Sequence, residues 1–177
     1  MLSSILKKSD CAVCKFCCSF RRQSLWETPI FSNELAEKLK ALYPKAQFRQ
    51  TGNNSQTIDL SHLYKTDNPN EEAPCPFLNK TNGCCLPPEL KPFDCSIWPF
   101  RAVSTKEKTI SVALTPTCPA INKVSREKIT DLLKSGLGQK IIDYAKTHPD
   151  IIKEQTDFLS DVLFPAVVNN MNKRISV

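Results

Sequence analysis

The chain has 177 residues, 41% hydrophobic and 24% charged, with a formal net charge of +6 and 9 cysteines. That length suits one ordinary core with at most an appendage, and the apolar content excludes an intrinsically disordered chain. The positive charge does not point to nucleic acid, because the basic residues are not interleaved with stacking aromatics along a recognisable binding module.

In chain order, the start Met1-Leu-Ser-Ser-Ile-Leu-Lys-Lys has no apolar stretch of signal-peptide length, and no apolar run is long enough to span a bilayer. A cytoplasmic protein, away from the membrane, is expected. In that compartment disulfides are rare, so a cysteine-rich pattern reads as metal or redox chemistry rather than a disulfide scaffold. The opening run Cys11-x-x-Cys14-x-x-Cys17-Cys18 places four thiols within eight positions. Around it, residues 1 to 22 hold Lys7, Lys8, Lys15, Arg21 and Arg22 against Asp10, a net +4. Cations lower a thiol's pKa, so these cysteines are expected to be primed to ionise. If the run is helical, all four thiols share one broad face. If it is a loop, Cys18 serves a second site or packs as a small hydrophobe, and this second or supporting role is the expectation.

Ser32 is placed to cap a helix in which Leu35, Ala36, Leu39, Leu42 and Tyr43 share a face and which Pro44 stops. Two strand-like runs, 46–51 and 56–60, flank Gly52-Asn53-Asn54 and predict a hairpin. Residues 65–74 read as a polar surface loop. A second cysteine-rich block from Cys75 to Phe100 is dense in proline and aromatic residues, with an irregular backbone expected. Runs at 98–103 and 109–115 predict another hairpin, which delivers Cys118. From Ser125 the pattern turns helical, through Ile129, Leu132 and Leu133, then Ile141, Ile142, Tyr144 and Ala145. After Pro149 a third helical segment is expected through Ile151, Ile152, Phe158, Leu159, Val162 and Leu163.

The spacing of Cys11, Cys14 and Cys17 is the one bacterial ferredoxins use for three ligands of a cubane iron–sulfur cluster. The fourth ligand must then come from a distant segment, and two remote cysteines are followed by proline, Cys75-Pro76 and Cys118-Pro119. Either completes the site. Zinc is the competing metal: a structural zinc site usually shows two short-spaced pairs, whereas the second half offers Cys85 and Cys95 ten apart. Four thiolates suit both metals, so the ligand set alone does not choose; the ferredoxin-like spacing favours iron–sulfur. Phe77, Phe93, Trp98 and Phe100 lie beside the downstream cysteines and are candidates to wall a site from water. His62 and His148 stand without partners at ligand spacing. There is no Gly-rich phosphate loop, His-Glu-x-x-His pair or serine elbow, which removes conventional nucleotide-binding and hydrolase readings.

These residues resemble the cysteine-cluster family described as zinc- or iron-chelating and named for its Cys-x-x-Cys-x-x-Cys-Cys opening. Cys11, Cys14, Cys17 and Cys18 reproduce that opening. The family's second block is matched by Cys75-Pro76-Phe77-Leu78, Cys85, Lys91-Pro92, Cys95 and Trp98-Pro99-Phe100, with Cys118 as the final family cysteine and Cys84 as an extra. The match spans roughly residues 11 to 119. Lys91 stands where the family usually has arginine, Pro88 where tyrosine is frequent, and Ser96 where arginine often follows the cysteine. The resemblance implies that Cys11, Cys14, Cys17, Cys18, Cys75, Cys85, Cys95 and Cys118 bind metal. Flagellin lysine methylases carry a similar cysteine cluster, which brings in S-adenosylmethionine as a further cofactor and a protein substrate or partner. The expected architecture is α+β: a small irregular cysteine-rich metal-binding domain over 1–119 with short hairpins, and a helical extension over 120–177 packed on it. The expected function is an iron–sulfur protein with a redox or cofactor-positioning role; the alternative is a zinc-binding structural, interaction or metal-trafficking module.

Overall fold

Lys15 decides the path of the opening cysteines. Cys11 and Cys14 lie on a short helix, α1 (Lys8–Cys14), and Lys15 takes a left-handed backbone (φ 53) that cannot continue it. A 3₁₀ turn over Phe16–Cys18 follows and leads into β1 (Ser19–Arg21). The run is therefore neither one helix nor one loop. The structure is a computed structural model describing residues 2–6, 8–79, 81, 83–115, 117–154 and 162–165.

A short strand, β2 (Ile30–Ser32), runs into α2 (Asn33–Leu42). The Ser32 hydroxyl accepts from the Leu35 N–H at 3.2 Å, the expected N-cap, and Ala36 and Leu39 are fully buried. Next, β3 (Phe48–Gly52) and β4 (Ser55–Ile58) form the predicted hairpin, with β2 paired to the other edge of β4. The stretch read as a polar loop ends in a strand, β5 (Glu72–Pro74), antiparallel to β1 with Ser19 opposite Pro74. The rest of that stretch is exposed and tied down by the Glu71 carboxylate, which accepts from the N–H groups of Lys65 (2.6 Å) and Thr66 (2.8 Å).

The second cysteine block is a small hairpin, β6 (Leu78–Asn79) and β7 (Gly83–Cys84), followed by a one-turn helix, α3 (Phe93–Ile97). Then β8 (Phe100–Ser104) and β9 (Ile110–Leu114) pair as expected, and the Thr115 N–H donating to the Pro99 carbonyl at 2.9 Å closes the base of the hairpin. Two helices follow, α4 (Arg126–Leu132), capped by Ser125, and α5 (Gly138–Thr147). A wide turn at Leu133–Leu137 joins them, and Gly136 supplies its φ of 114°. The fold is α+β, with helices set against several small sheets.

The predicted third helical segment is not what forms. Pro149–Ile151 makes a single 3₁₀ turn, after which β10 (Lys153–Glu154) pairs parallel to β8 and β11 (Val162–Pro165) antiparallel to β9. The β8–β9 hairpin has two open edges of unpaired N–H and C=O groups, and these recruit the chain as strand. Phe158 and Leu159 lie outside the described residues. Among the described residues no helix is long and apolar enough to cross a membrane.

Two apolar clusters organise these elements. One joins Phe100, Ala102 and Val112 of the β8–β9 sheet to Ile129, Leu133, Ile141 and Ile142 of the helices, with Leu6 and Cys118 at its margin. The other gathers Phe20, Phe31, Leu39, Ile58, Tyr64 and Phe77 around the β2-β4-β3 sheet. The cysteine run lies between residues of the two, with Leu6 before it in the first cluster and Phe20 after it in the second.

Candidate metal centre

Local structure explains why four of the predicted thiols meet. On α1, Cys11 and Cys14 stand three residues apart, hence on one face, and the left-handed Lys15 turns the chain back so that Cys17 follows beside them. The β8–β9 hairpin returns the chain past Trp98 to Cys118. As a result Cys11, Cys14, Cys17 and Cys118 line one cavity of ≈ 20 Å³ together with Asp10, Phe16 and Trp98. Space of that size takes about one water-sized body. Cys11 and Cys14 are exposed, Cys17 is half-buried and Cys118 is buried, so the cavity is reached from the α1 side. Spacing left Cys75 and Cys118 as equal candidates for the fourth position; here it is Cys118 that lines the cavity.

The other four candidates lie around Cys75. The β1–β5 register sets Cys18 opposite Cys75, whose N–H donates to the Cys18 carbonyl at 2.8 Å. In the next hairpin the Cys85 N–H donates to the Phe77 carbonyl at 2.8 Å, which draws Cys84 and Cys85 back towards Cys75. Cys95 on α3 completes the neighbourhood, where the nearby Cys75 adds to the burial that raises its pKa. Cys17 and Cys18 join the two groups, their sulfurs 4.0 Å apart. Among the described residues, no three His, Cys, Asp or Glu side chains are arranged as a ready-made metal site.

Electrostatics runs against the expectation of primed thiols. Burial raises the pKa of Cys11, Cys75, Cys95 and Cys118, that of Cys75 to about 12, and neighbouring thiols push in the same direction. For Cys17 the hydrogen bond with Cys18 raises it first, and burial adds to this. The N-terminal arginines are engaged elsewhere: Arg21 pairs with Glu72 at 3.2 Å, and Arg22 lies 3.9 Å from Asp67 and over the Tyr64 ring. Lys91, from the second block, favours ionisation of Cys11, Cys17 and Cys95, and Arg101 adds to it at Cys95. Both Cys-Pro pairs share a further device. The N–H of Phe77 is bonded to the Cys75 sulfur, and those of Ala120 and Ile121 to the Cys118 sulfur, each favouring the thiolate. A proline directly after the cysteine removes the intervening donor and fixes the turn that aims the later one back.

Of the predicted aromatic wall, Trp98 alone lines the cavity. Phe77 and Phe100 are buried in the two cores, and Phe93 stacks on Tyr144 at 3.8 Å between ring centroids. Sequence reasoning did not pick out Lys91 as the compensating cation, nor a buried group of charges behind Trp98. In that group, Arg101 donates to Glu27 at 2.8 Å, and Asp94, next to Cys95, accepts from the Ile30 N–H at 3.1 Å. Glu27 and Arg101 are 74 positions apart, and nothing in the linear pattern joins them. No protein-family model, no curated protein and no solved structure matches the chain.

Proposed function

We propose that the protein carries a metal centre held as thiolates by Cys11, Cys14, Cys17 and Cys118. The observation behind this reading is the arrival of Cys118, with N–H groups aimed at its sulfur, on a cavity already lined by the three closely spaced thiols. Thiols gathered this closely repel one another as thiolates; a cation between them removes that repulsion. An all-sulfur donor set suits soft or borderline metals, zinc and iron–sulfur clusters among them. Cys18, Cys75, Cys85 and Cys95 are read as a supporting or second set on the far side of Cys17.

The Cys-x-x-Cys-x-x-Cys spacing favours an iron–sulfur cluster, which would supply one-electron chemistry or orient a bound cofactor. The residues then have defined tasks: α1 presents two ligands to solvent, Cys118 anchors the site to the core, and the half-buried Trp98 covers part of its wall. A specific observation favours a second reading. The cavity of ≈ 20 Å³ has room for a single ion, and four thiolates suit zinc. With Cys11 and Cys14 exposed, such an ion would be open to exchange, as a metal-handling module requires. Protein methylation with S-adenosylmethionine has support from the resemblance alone.

Anaerobic purification, followed by iron, sulfide and zinc analysis and a visible spectrum, tests the proposal. Iron with stoichiometric sulfide and a brown chromophore supports the cluster; one zinc in a colourless protein supports the second reading. A folded protein that binds neither refutes both.

A further inference from the structure

Arg101 projects from β8 with 4% of its surface exposed. Its Nη2 donates to Glu27 Oε2 at 2.8 Å and to the Glu27 carbonyl at 3.3 Å, and its guanidinium carbon lies 4.4 Å from the centroid of the Trp98 ring. Trp98 lines the thiol cavity. A chain of contacts thus runs from Glu27 through Arg101 and Trp98 to Cys11, Cys14, Cys17 and Cys118. Asp94 and Lys153 complete the charges around the guanidinium.

Stability is a poor reason for this pair. Burying a guanidinium and a carboxylate gains little over a well-packed apolar pair, and here Glu27 Oε1 and Arg101 Nε are also left without partners. What an apolar pair would not supply is direction. A planar guanidinium fixed at one end by both the carboxylate and the carbonyl of Glu27 offers the indole one plane to stack on.

We propose that Arg101 is a positioning residue for the thiol site: the Glu27–Arg101 pair holds the Trp98 ring against the cavity, and the ring keeps water and chelators from the sulfurs. This rests on the thiolate reading above, and it assigns the rate of metal exchange to a residue that does not line the cavity.

The test uses the full chain in a Trp26→Phe background, where Trp98 is the remaining tryptophan of the two. Because Arg101→Met alone would strand a buried carboxylate, it is combined with Glu27→Gln. The double variant is expected to fold and to take up zinc in unchanged amount. Its Trp98 emission becomes more readily quenched by acrylamide with or without metal, and a chelator removes zinc about tenfold faster, the lower end of the effect of losing an outer-shell partner. Arg101→Lys does not restore the slow rate, since an ammonium lacks the planar face. Adding Trp98→Leu to the double variant produces no further acceleration over Trp98→Leu alone. Unchanged quenching and release in the double variant, or effects of the two changes that multiply independently, overturn the proposal. If the parent protein takes up neither zinc nor an iron–sulfur cluster, the thiolate reading fails by itself, and metal-free quenching still decides whether Arg101 holds Trp98.

Discussion

Gly83→Ala probes whether the second cysteine block holds the first in place. Gly83 has φ +79, and a Cβ there would lie 3.3 Å from the Ala12 Cα and 3.8 Å from its N and Cβ. Ala12 sits on α1 between the ligand candidates Cys11 and Cys14, and its backbone cannot rotate aside as a side chain would. The left-handed backbone costs a non-glycine residue about 1–2 kcal/mol. Displacing α1 by a few tenths of an ångström adds about 1 kcal/mol, at the low end of overpacking. Together these are about 2–3 kcal/mol, which for a chain of this size lowers the melting temperature by roughly 5–10 °C. Circular-dichroism melts measure that loss, and zinc titration against a competing chelator measures the shift of α1. Gly136→Ala is the control: its φ of 114° imposes a similar backbone cost between α4 and α5, away from the thiols, so it should melt lower yet bind as the parent does. Gly83→Asn separates the two contributions. Asparagine tolerates the left-handed region but keeps the Cβ, so it should recover about 1 kcal/mol of stability and retain the binding defect. If Gly83→Ala melts lower but binds metal like the parent, the hairpin does not position α1 and the reasoning fails.

Three further outcomes are expected. Cys118→Ser should weaken metal binding by more than the roughly 10–100-fold that loss of an outer-shell partner costs, whereas Cys84→Ser should leave it near the parent value; equal losses, read by metal analysis, would refute the ligand assignment. In the metal-free protein the thiols of Cys11, Cys17, Cys75, Cys95 and Cys118 have pKa values above their ordinary 9.0, so the native state keeps protons that the unfolded chain releases. Stability should therefore be intact below about pH 9 and fall as pH rises towards the value of about 12 for Cys75, while metal affinity rises with pH over the neutral range because loading displaces thiol protons; urea melts and titrations at pH 7, 9 and 10 give both signs. Tyr64→Phe removes the buried hydroxyl that donates to the Phe20 carbonyl at 2.9 Å and should cost about 1 kcal/mol in a urea melt, with the metal site unaffected.

Much of the chain could be read in advance where local chemistry decides. Ser32 caps α2 because its hydroxyl serves the Leu35 N–H three residues away, and Gly52-Asn53-Asn54 turns a hairpin because those residues accept turn geometry. The apolar stripes through Ile129 to Leu133 and Ile141 to Ala145 faced a core as periodicity required. Reading failed where a distant edge set the conformation. Ile151 and Ile152 fit a helix as well as a strand, and the open sides of the β8–β9 hairpin chose strand for Lys153–Glu154 and Val162–Pro165.

The candidate site divides along the same line. Three sulfurs lie within seven positions, so sequence alone bounds their separation to roughly 20 Å, and the turn of α1 with the left-handed Lys15 brings them onto one cavity. Which remote cysteine meets them was open, since Cys75 and Cys118 carry the same Cys-Pro signature. Tertiary structure decides it: β5 aligns Cys75 with Cys18, while the β8–β9 hairpin returns Cys118 past Trp98 to α1. The Glu27–Arg101 pair behind Trp98 has no sequence signature at all, because a contact across 74 residues exists only once two separately folded segments are packed together.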